Sequence, residues 1–360
     1  MPNLFQKYKK CLNLKPIIHV IGTNGKGSTG RWLSLMLARS GAKVGHFTSP
    51  HVLEYNERFW KNGSNVSYEE LDKCHFRLLE ILGEDSEKLS YFEYSVFLSA
   101  LVFEDCDFVV LEAGLGGEYD ATNVFSKRLS LVTPIGFDHE EFLGSSLKEI
   151  ATTKLNSINT NTIISPQNDE IILKTALKIA QKKGVKLKLV TDDLDLKDLD
   201  AYMEKYQYPS FFKNNLLSAF AGAKELGVGV DWEDLPPLDL VGRCQKISSN
   251  ITIDVGHNPL SAKEVVKNFK EKSVVLIYNS YQDKNIENIL SILEPIISSV
   301  KIFPLQKSHR ELGEDTIIKN LEKMGINWDY FDNKMDKNHQ YLVFGSFYVV
   351  GEFLKSLNEK

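Results

Sequence analysis

The stretch IIHVIGTNGKGSTGRW, residues 17–32, leads a short apolar run through a glycine-rich turn into a helix pattern. A strand, glycine loop and helix in this order begin a crossover unit, in which the next strand lies parallel to the first. The glycines let backbone N–H groups surround an anion, and Lys26 and the helix N-terminus add positive charge. A simple glycine turn explains neither Lys26 nor the adjacent hydroxyl pair. The stretch therefore predicts a phosphate-binding loop formed by Thr23, Asn24, Gly25, Lys26, Gly27, Ser28 and Thr29.

Strand-like runs alternate with amphipathic stretches along the whole chain. Up to about residue 235 the runs are IIHVIG, KVGHFTS, DFVVLEAG, LSLVTPIG and NTIISP, with helices predicted over residues 28–39 and within 93–105. This alternation predicts an α/β fold with a mostly parallel sheet and helices on both faces. After two prolines, a second alternation of ITIDVG, a helix near 260–271, SVVLIYN, VKIFPL and YLVFGS predicts a smaller Rossmann-like α/β domain. The predicted domains are residues 1–236 and 237–360.

Composition limits the partners of such a chain. The 360 residues are 42% hydrophobic and 25% charged, which is enough apolar material for two packed cores. A net charge of -5 provides no basic field for nucleic acid or an anionic membrane, so small-molecule substrates are expected. The four cysteines lie far apart, without zinc or disulfide spacing. We expect a cytoplasmic protein, because the sequence has neither a signal-peptide pattern nor a run of about 18 apolar residues.

Two strand-like runs end in side chains that can bind a metal. Glu112 ends the run DFVVLE, and Asp138 and His139 follow the run LSLVTPIG. Magnesium prefers oxygen ligands near the phosphates, and the carboxyl ends of parallel strands lie beside the loop that follows the first strand. A lone histidine is more often structural, but its position after a strand and an aspartate favours a ligand. Glu112 and His139 are therefore predicted metal ligands.

Together these motifs resemble a known family. GTNGKGST departs from the usual P-loop pattern, because Val20 replaces the first glycine and Gly27 separates the lysine from the hydroxyl. This variant resembles the Mur ligase superfamily, and within it the folylpolyglutamate synthase and dihydrofolate synthase family. The segments TSPHVLEYNER, GLGGEYDATN, DHEEFLG and IDVGHNP are similar to further motifs of that family, in the same order.

In the first domain, the resemblance implies an ATP-binding Mur-ligase-like domain with Ser49, Glu112, His139 and Lys154 as magnesium ligands. Lysine becomes a ligand only as a carbamate, since its charged amine repels the ion. The residues around Lys154 differ from the family pattern, so the modification is an open expectation. The resemblance further places Arg58 near the substrate and Asn215 near the adenine. It implies catalytic roles for Lys26, His139, Lys154 and, in the second domain, His257.

In the second domain, LVGRC resembles the family's entry segment. Arg243 is then expected to reach the nucleotide phosphates, with a permanent charge and a planar fork suited to that purpose. Asp254 is also expected at the nucleotide, although Val255-Gly256 replaces the family's Gly-Ala. Lys284 and Ser346 are expected to bind the amino-acid substrate. The pair His309-Arg310 is a weaker indication.

The implied activity is an ATP-dependent ligase that joins glutamate to a pteroate or folate carboxylate through an acyl phosphate, with ATP and Mg²⁺. A monomer is expected. Two alternatives stay open. A Mur-type ligase for another carboxylate usually has a separate N-terminal domain, whereas only about 16 residues precede the first strand here. A non-catalytic P-loop nucleotide-binding protein would keep the loop and lose turnover.

Overall fold

The structure of the protein is a computed structural model that describes residues 2–12, 14–190, 197–305 and 310–358. Contacts divide the chain into two units, Met1–Asp239 and Leu240–Lys360. None of the helices in the described ranges combines the length and apolar character needed to cross a membrane.

The first unit is built on one large sheet. In the described residues it has the strand order β4-β3-β2-β5-β1-β6-β7-β8, parallel except where β3 pairs with β2 and β4. The strands are β1 Ile17–Ile21, β2 Val44–Phe47, β3 Phe59–Lys61, β4 Ser64–Asn65, β5 Phe108–Glu112, β6 Lys127–Val132, β7 Thr162–Ile164 and β8 Leu187–Leu189. The predicted mostly parallel sheet is confirmed, and the antiparallel β3 and β4 were not foreseen.

Helices cover both faces of this sheet. They are α1 Pro2–Tyr8, α2 Lys26–Arg39, α3 Tyr68–Leu82, α4 Tyr91–Val102, α5 Glu140–Leu143, α6 Leu147–Leu155, α7 Glu170–Lys183, α8 Lys197–Lys205 and α9 Phe212–Glu225. A Cβ at Gly30 of α2 would meet His46 of β2, while one at Gly45 would meet Phe103, which follows α4. Because adjacent strand residues point to opposite faces, α2 and α4 lie on opposite sides of the sheet.

The centre of the sheet positions the phosphate loop. All five residues of β1 are buried, and its β-branched isoleucines and valine suit a strand covered on both sides. Each such side chain contributes about 1.5–3 kcal/mol when fully buried. Val20 pairs with Glu112 in β5, and Ile21 pairs with Val132 in β6. The loop after β1 therefore begins beside the carboxyl ends of two neighbouring strands.

The second unit has its own sheet and core. Its strand order, within the described residues, is β13-β12-β11-β14-β10-β9, and only β9 is antiparallel. The strands are β9 Gln245–Lys246, β10 Ile251–Ile253, β11 Val274–Tyr278, β12 Ile297–Ile302, β13 Trp328–Tyr330 and β14 Gln340–Phe344. The helices are α10 Pro259–Val266, α11 Ile286–Leu293, α12 Glu314–Met324 and α13 Phe347–Asn358. The predicted smaller Rossmann-like α/β unit is confirmed.

Two predicted helix boundaries differ from the structure. The first long helix begins at Lys26 and not at residue 28, because the left-handed Gly25 is its N-cap. The helix expected over residues 260–271 ends at Val266, after which Lys267 is the C-cap. The lysine of the phosphate loop thus belongs to the first turn of α2.

Candidate active site

The phosphate loop is held by backbone contacts from the neighbouring strand end. The N–H groups of Thr23 and Asn24 donate to the Pro134 carbonyl oxygen, at 2.9 and 3.3 Å. The Thr23 hydroxyl also contacts both backbone groups of Gly136, at 3.0 and 3.1 Å. The N–H groups of these two residues therefore fix the loop. Nucleotide binding by Thr23 and Asn24 stays a prediction.

The helix end supplies the donors that remain. Gly25 has φ 80°, a conformation that favours glycine, and a Cβ there would collide with the Asn215 side chain. Thr29 N donates to Gly25 O at 2.9 Å, so the N–H groups of Lys26, Gly27 and Ser28 form the open end of α2. An anion at this end meets unsatisfied donors and the positive end of the helix dipole. Asn215, expected from a weak motif, lies against the loop.

Lys26 and Glu112 form the charged part of the site. Lys26 Nζ donates to Thr23 O at 3.0 Å and lies 3.8 Å from Glu112 Oε1. The two side chains are 15% and 6% exposed, so their charges are weakly screened by water. Their approach follows from the strand pairing, since Glu112 ends β5 beside the strand that leads into the loop.

The segment after β2 also binds Glu112. The Thr48 hydroxyl donates to Glu112 Oε2, and Ser49 N donates to the same oxygen at 3.3 Å. The sequence prediction singled out Ser49 and missed Thr48. Thr48 belongs to the TSPH segment, but the motif does not show that its hydroxyl meets Glu112, so the fold identifies it.

Lys154 on α6 is buried beside the loop. Its residue is 4% exposed, and Nζ donates to Gly22 O at 2.9 Å. Burial, followed by the nearby charge of Lys26, lowers the pKa of Lys154 to about 7. Burial disfavours the charged amine because it removes the water that solvates it. The amine of Lys154 is therefore a weaker base than that of an ordinary lysine, and it lies next to the phosphate loop.

His139 lies after β6, at the start of α5. It is the N-cap residue with a left-handed φ of 54°, and its side chain is 35% exposed. Its Nε2 lies 3.9 Å from Asp138 Oδ1, and its N–H donates to that oxygen at 3.0 Å. The aspartate thus shapes the turn that presents the histidine.

Arg58 is enclosed by aromatic rings. Its Nε donates to His51 Nδ1 at 2.9 Å, and its guanidinium lies 5.9 Å from the Tyr55 ring centre and 5.2 Å from that of Tyr91. Burial lowers the pKa of the Arg58 guanidinium, with the nearby carboxylate of Glu112 opposing that shift. The rings orient a cation close to the Glu112 side of the site.

The donor set fits magnesium bound together with a nucleotide. Within the described residues, no three His, Cys, Asp or Glu side chains cluster as a complete metal site. Magnesium usually takes one or two carboxylates, with water and phosphate oxygens completing its octahedron. Glu112 supplies a buried carboxylate, and Ser49, His139 and a Lys154 carbamate are the further candidates. The open N–H groups at the start of α2 are suited to the phosphate oxygens of ATP.

In the second unit, Arg243 lies just before β9, and Asp254 directly follows β10. Arg243 lies 4.9 Å from the ring centre of Phe347. Asp254 accepts hydrogen bonds from Gly256 N at 2.7 Å and Cys244 N at 2.8 Å. Burial raises the pKa of the Asp254 carboxyl, and the two backbone donors and Arg243 oppose that shift. Asp254 therefore fixes the backbone of Cys244, directly after Arg243, and that of Gly256 in its own segment.

Each remaining predicted residue of this unit that the structure describes has a local contact. His257 Nδ1 lies 3.0 Å from Val255 O, which orients the ring in the segment after β10. The Ser346 hydroxyl accepts from Val349 N at 3.1 Å and so caps α13. The Lys284 N–H donates to Tyr281 O at 3.1 Å. Arg310 pairs with Asp283 at 2.6 Å, while His309 lies outside the described residues.

Asp120 was not among the predicted site residues. It caps the short 3₁₀ helix Ala121–Val124 and accepts from Thr122 N at 2.9 Å and Leu115 N at 2.8 Å. Burial raises the pKa of its carboxyl. The Asp120 carboxylate therefore joins the GLGG and DATN segments. The closeness of these two segments in the sequence was the one indication that Asp120 has this role.

These features define the class of protein. A glycine loop between a central parallel strand and a helix, with a lysine in the first helical turn and a carboxylate on the adjacent strand, is the arrangement of an α/β P-loop nucleotide-binding protein.

Known proteins narrow this class. No protein-family model matches the chain. The crystal structure of Helicobacter pylori folylpolyglutamate synthetase is 41% identical, with a TM-score of 0.80 over 100% of this chain and 94% of that one. The structure of Escherichia coli FolC in complex with DHPP and ADP is 25% identical, with a TM-score of 0.83 over 99% and 92%. The dihydrofolate synthase/folylpolyglutamate synthase of Escherichia coli K12 is 28% identical over 96% of this chain and 88% of its own length. The chain belongs to the folylpolyglutamate synthase/dihydrofolate synthase family.

Proposed function

We propose that this protein is an ATP-dependent ligase that adds L-glutamate to dihydropteroate, to reduced folates, or to both. The observation that carries the proposal is the grouping of Lys26, Glu112 and Lys154 around the loop after β1. Family membership supports the same activity, since the Escherichia coli relative is a dihydrofolate synthase/folylpolyglutamate synthase. A cytoplasmic location and a monomeric state stay predictions.

The chemistry requires activation of a carboxylate. At neutral pH a carboxylate is a poor electrophile, so its oxygen attacks the γ-phosphorus of ATP and ADP leaves. The glutamate amine then attacks the acyl carbon, the amide bond forms, and phosphate and a proton are released. Positioning and charge stabilisation supply most of the catalysis in phosphoryl transfer.

The residues of the first unit have distinct parts in this reaction. The N–H groups at the start of α2 bind phosphate oxygens, and Lys26 adds a positive charge beside them. Glu112, with Ser49, His139 and the Lys154 carbamate, would hold magnesium, which neutralises phosphate charge when bound. Arg58 would orient the carboxylate substrate, because guanidinium groups bind carboxylates in a planar fork.

In the second unit, Arg243 would bind the nucleotide phosphates, with Asp254 fixing the backbone of the next residue, Cys244. His257 is proposed to act near the reacting carboxyl. Lys284 and Ser346 are proposed for the amino-acid substrate, and a cation suits its carboxylate groups.

Phosphate release tests the activity directly. The protein, with ATP and magnesium, should release phosphate only when both glutamate and either dihydropteroate or tetrahydrofolate are present. Comparing the two acceptors identifies the substrate. Phosphate release that needs no acceptor contradicts the proposed ligase activity. Absent turnover with both acceptors also contradicts it, and favours the non-catalytic alternative.

Lys154 provides a separate prediction. Its burial favours the neutral amine, the form that reacts with carbon dioxide. With ¹³C-labelled bicarbonate, we expect a carbamate carbon signal from the wild-type protein that disappears in Lys154→Arg. Turnover of that variant should fall about 100-fold, the upper range for lost metal-site support. The matched control is Lys148→Arg on the exposed face of the same helix. Unchanged turnover of Lys154→Arg would show that Lys154 does not belong to the proposed metal site.

A further inference from the structure

The last residues of the first unit are fastened to its interior. The Tyr202 hydroxyl donates to Pro236 O at 2.7 Å, and Leu238 N donates to the Tyr208 hydroxyl at 2.6 Å. Trp32 Nε1, from the phosphate-loop helix α2, donates to the Tyr202 hydroxyl at 3.2 Å. These bonds connect the end of the unit to the helix that begins with Lys26.

Asp239, the final residue of the unit, has a stronger attachment. Its carboxylate accepts from Arg31 Nη1 at 2.7 Å and from Trp60 Nε1 at 2.8 Å. The Arg31 side chain is 1% exposed, and its guanidinium lies 5.0 Å from the Trp60 ring centre. Arg31 Nε also donates to His46 Nδ1 at 3.0 Å, so the guanidinium is held in place where it meets Asp239. The charge of this buried guanidinium is weakly screened by water, which strengthens its attraction for the Asp239 carboxylate. Charged hydrogen bonds of this kind are also stronger than neutral ones.

The chain is fixed again at the beginning of the second unit. Gly242 N donates to Gln245 Oε1 at 3.0 Å, and Val255 N donates to Gly242 O at 3.0 Å. Gly242 has φ 72°, and a Cβ there would come within 2.6 Å of a Val255 methyl group. Only Leu240 and Val241 lie between this attachment and Asp239.

We propose that Asp239 is a positioning residue that fastens the end of the first unit to α2, so that bending between the units is confined to Leu240 and Val241. A short hinge between two fixed backbones restricts the directions of motion, because few dihedral angles can change.

The effect on catalysis rests on the proposed function. Arg243 lies two residues after the hinge and its backbone belongs to the second unit, whereas Lys26 belongs to α2. If both bind phosphate, the hinge limits how Arg243 approaches it. Loosening Asp239 should then lower kcat more than it weakens ATP binding, because the phosphate loop itself is unchanged.

The test uses Asp239→Asn and Trp60→Phe in the full-length protein. Each removes one part of the attachment and keeps a similar shape. Asp234→Asn is the matched control, since Asp234 also pairs with α2, through Arg39 at 2.7 Å, but the two side chains are 69% and 49% exposed. Exposed pairs of this kind contribute little to stability.

Hydrogen exchange is the measurement that does not depend on activity. In both variants, the Leu238 amide, which donates to the Tyr208 hydroxyl, should exchange about 10- to 100-fold faster, with α2 and the control unchanged. Unchanged exchange in both variants overturns the proposal, and so does faster exchange that spreads through α2 or occurs equally in Asp234→Asn. If Asp239→Asn does not fold, Trp60→Phe decides.

Turnover is the second measurement. The kcat of Asp239→Asn should fall about 10-fold, while the Kd for ATP stays within about 2-fold of wild type, as expected for lost positioning. Equal loss of ATP binding contradicts a positioning role. If the wild-type protein has no ligase turnover, the proposed function fails, and hydrogen exchange still decides whether Asp239 fastens the hinge.

Discussion

Replacing Lys26 with alanine should lower ATP-dependent turnover by about 1,000-fold, the upper range for loss of one preorganised group at a developing charge. Lys26 lies in the first turn of α2, where the open backbone donors are. Lys154, a buried lysine near the loop, is bound to Gly22 O and would have to break that bond to replace the lost charge. Steady-state phosphate release measures the effect.

The fold should tolerate this substitution. The Lys26 side chain is partly exposed, and its hydrogen bond to Thr23 O is one of several that hold the loop. The thermal unfolding temperature is therefore expected to stay close to that of the wild type, and Lys148→Ala provides the control for loss of a lysine. Retained turnover in Lys26→Ala would exclude its proposed role, whereas lost turnover with an unfolded protein would assign Lys26 to stability.

Glu112→Gln should produce the second large loss, about 100-fold in kcat, with a higher magnesium concentration needed for half-maximal turnover. The amide keeps the shape and one oxygen acceptor for Thr48 and Ser49. It removes the negative charge that would attract the ion, and it leaves Lys26 without its carboxylate neighbour at 3.8 Å. A titration with magnesium separates weaker metal binding from slower chemistry.

The control for this charge removal is Glu104→Gln. Glu104 pairs with Arg77 at 2.6 Å, but its side chain is 46% exposed, so its loss should change neither turnover nor the magnesium requirement. If Glu112→Gln needs no more magnesium than the wild-type protein, Glu112 is not a metal ligand. Its effect on turnover would then come from its position beside Lys26.

The sequence predicted the strand, loop and helix of the phosphate-binding segment, because residues close together in the sequence determine them. The apolar run of β1, the glycines after it and the helix that follows are encoded within 16 consecutive residues, so their arrangement could be predicted from that stretch. Glu112 was also predictable, because parallel strands bring their carboxyl ends to one edge. The start of α2 was placed two residues late, since periodicity does not reveal the left-handed conformation of Gly25.

Contacts between distant parts of the chain were not predictable. Arg31 and Asp239 are separated by 208 positions, and neither lies in a motif, so their bond emerges only from the folded unit. The contact of Thr48 with Glu112 was also unpredictable, although the two residues are closer in the sequence. A threonine followed by a serine does not show which of the two hydroxyls meets Glu112. Side-chain direction depends on the backbone path after β2, which pattern alone does not specify.

The bonds from Thr23 and Asn24 to Pro134 also bear on the thermodynamics of nucleotide binding. A loop of glycines in water samples many conformations, and a ligand that ordered it would lose affinity to that entropy. Here the backbone is already ordered by contacts made during folding. Binding of a nucleotide should therefore carry a small conformational entropy penalty in the first unit. The glycines let phosphates approach the backbone closely, and the bonds to Pro134 keep the loop ordered before a nucleotide binds.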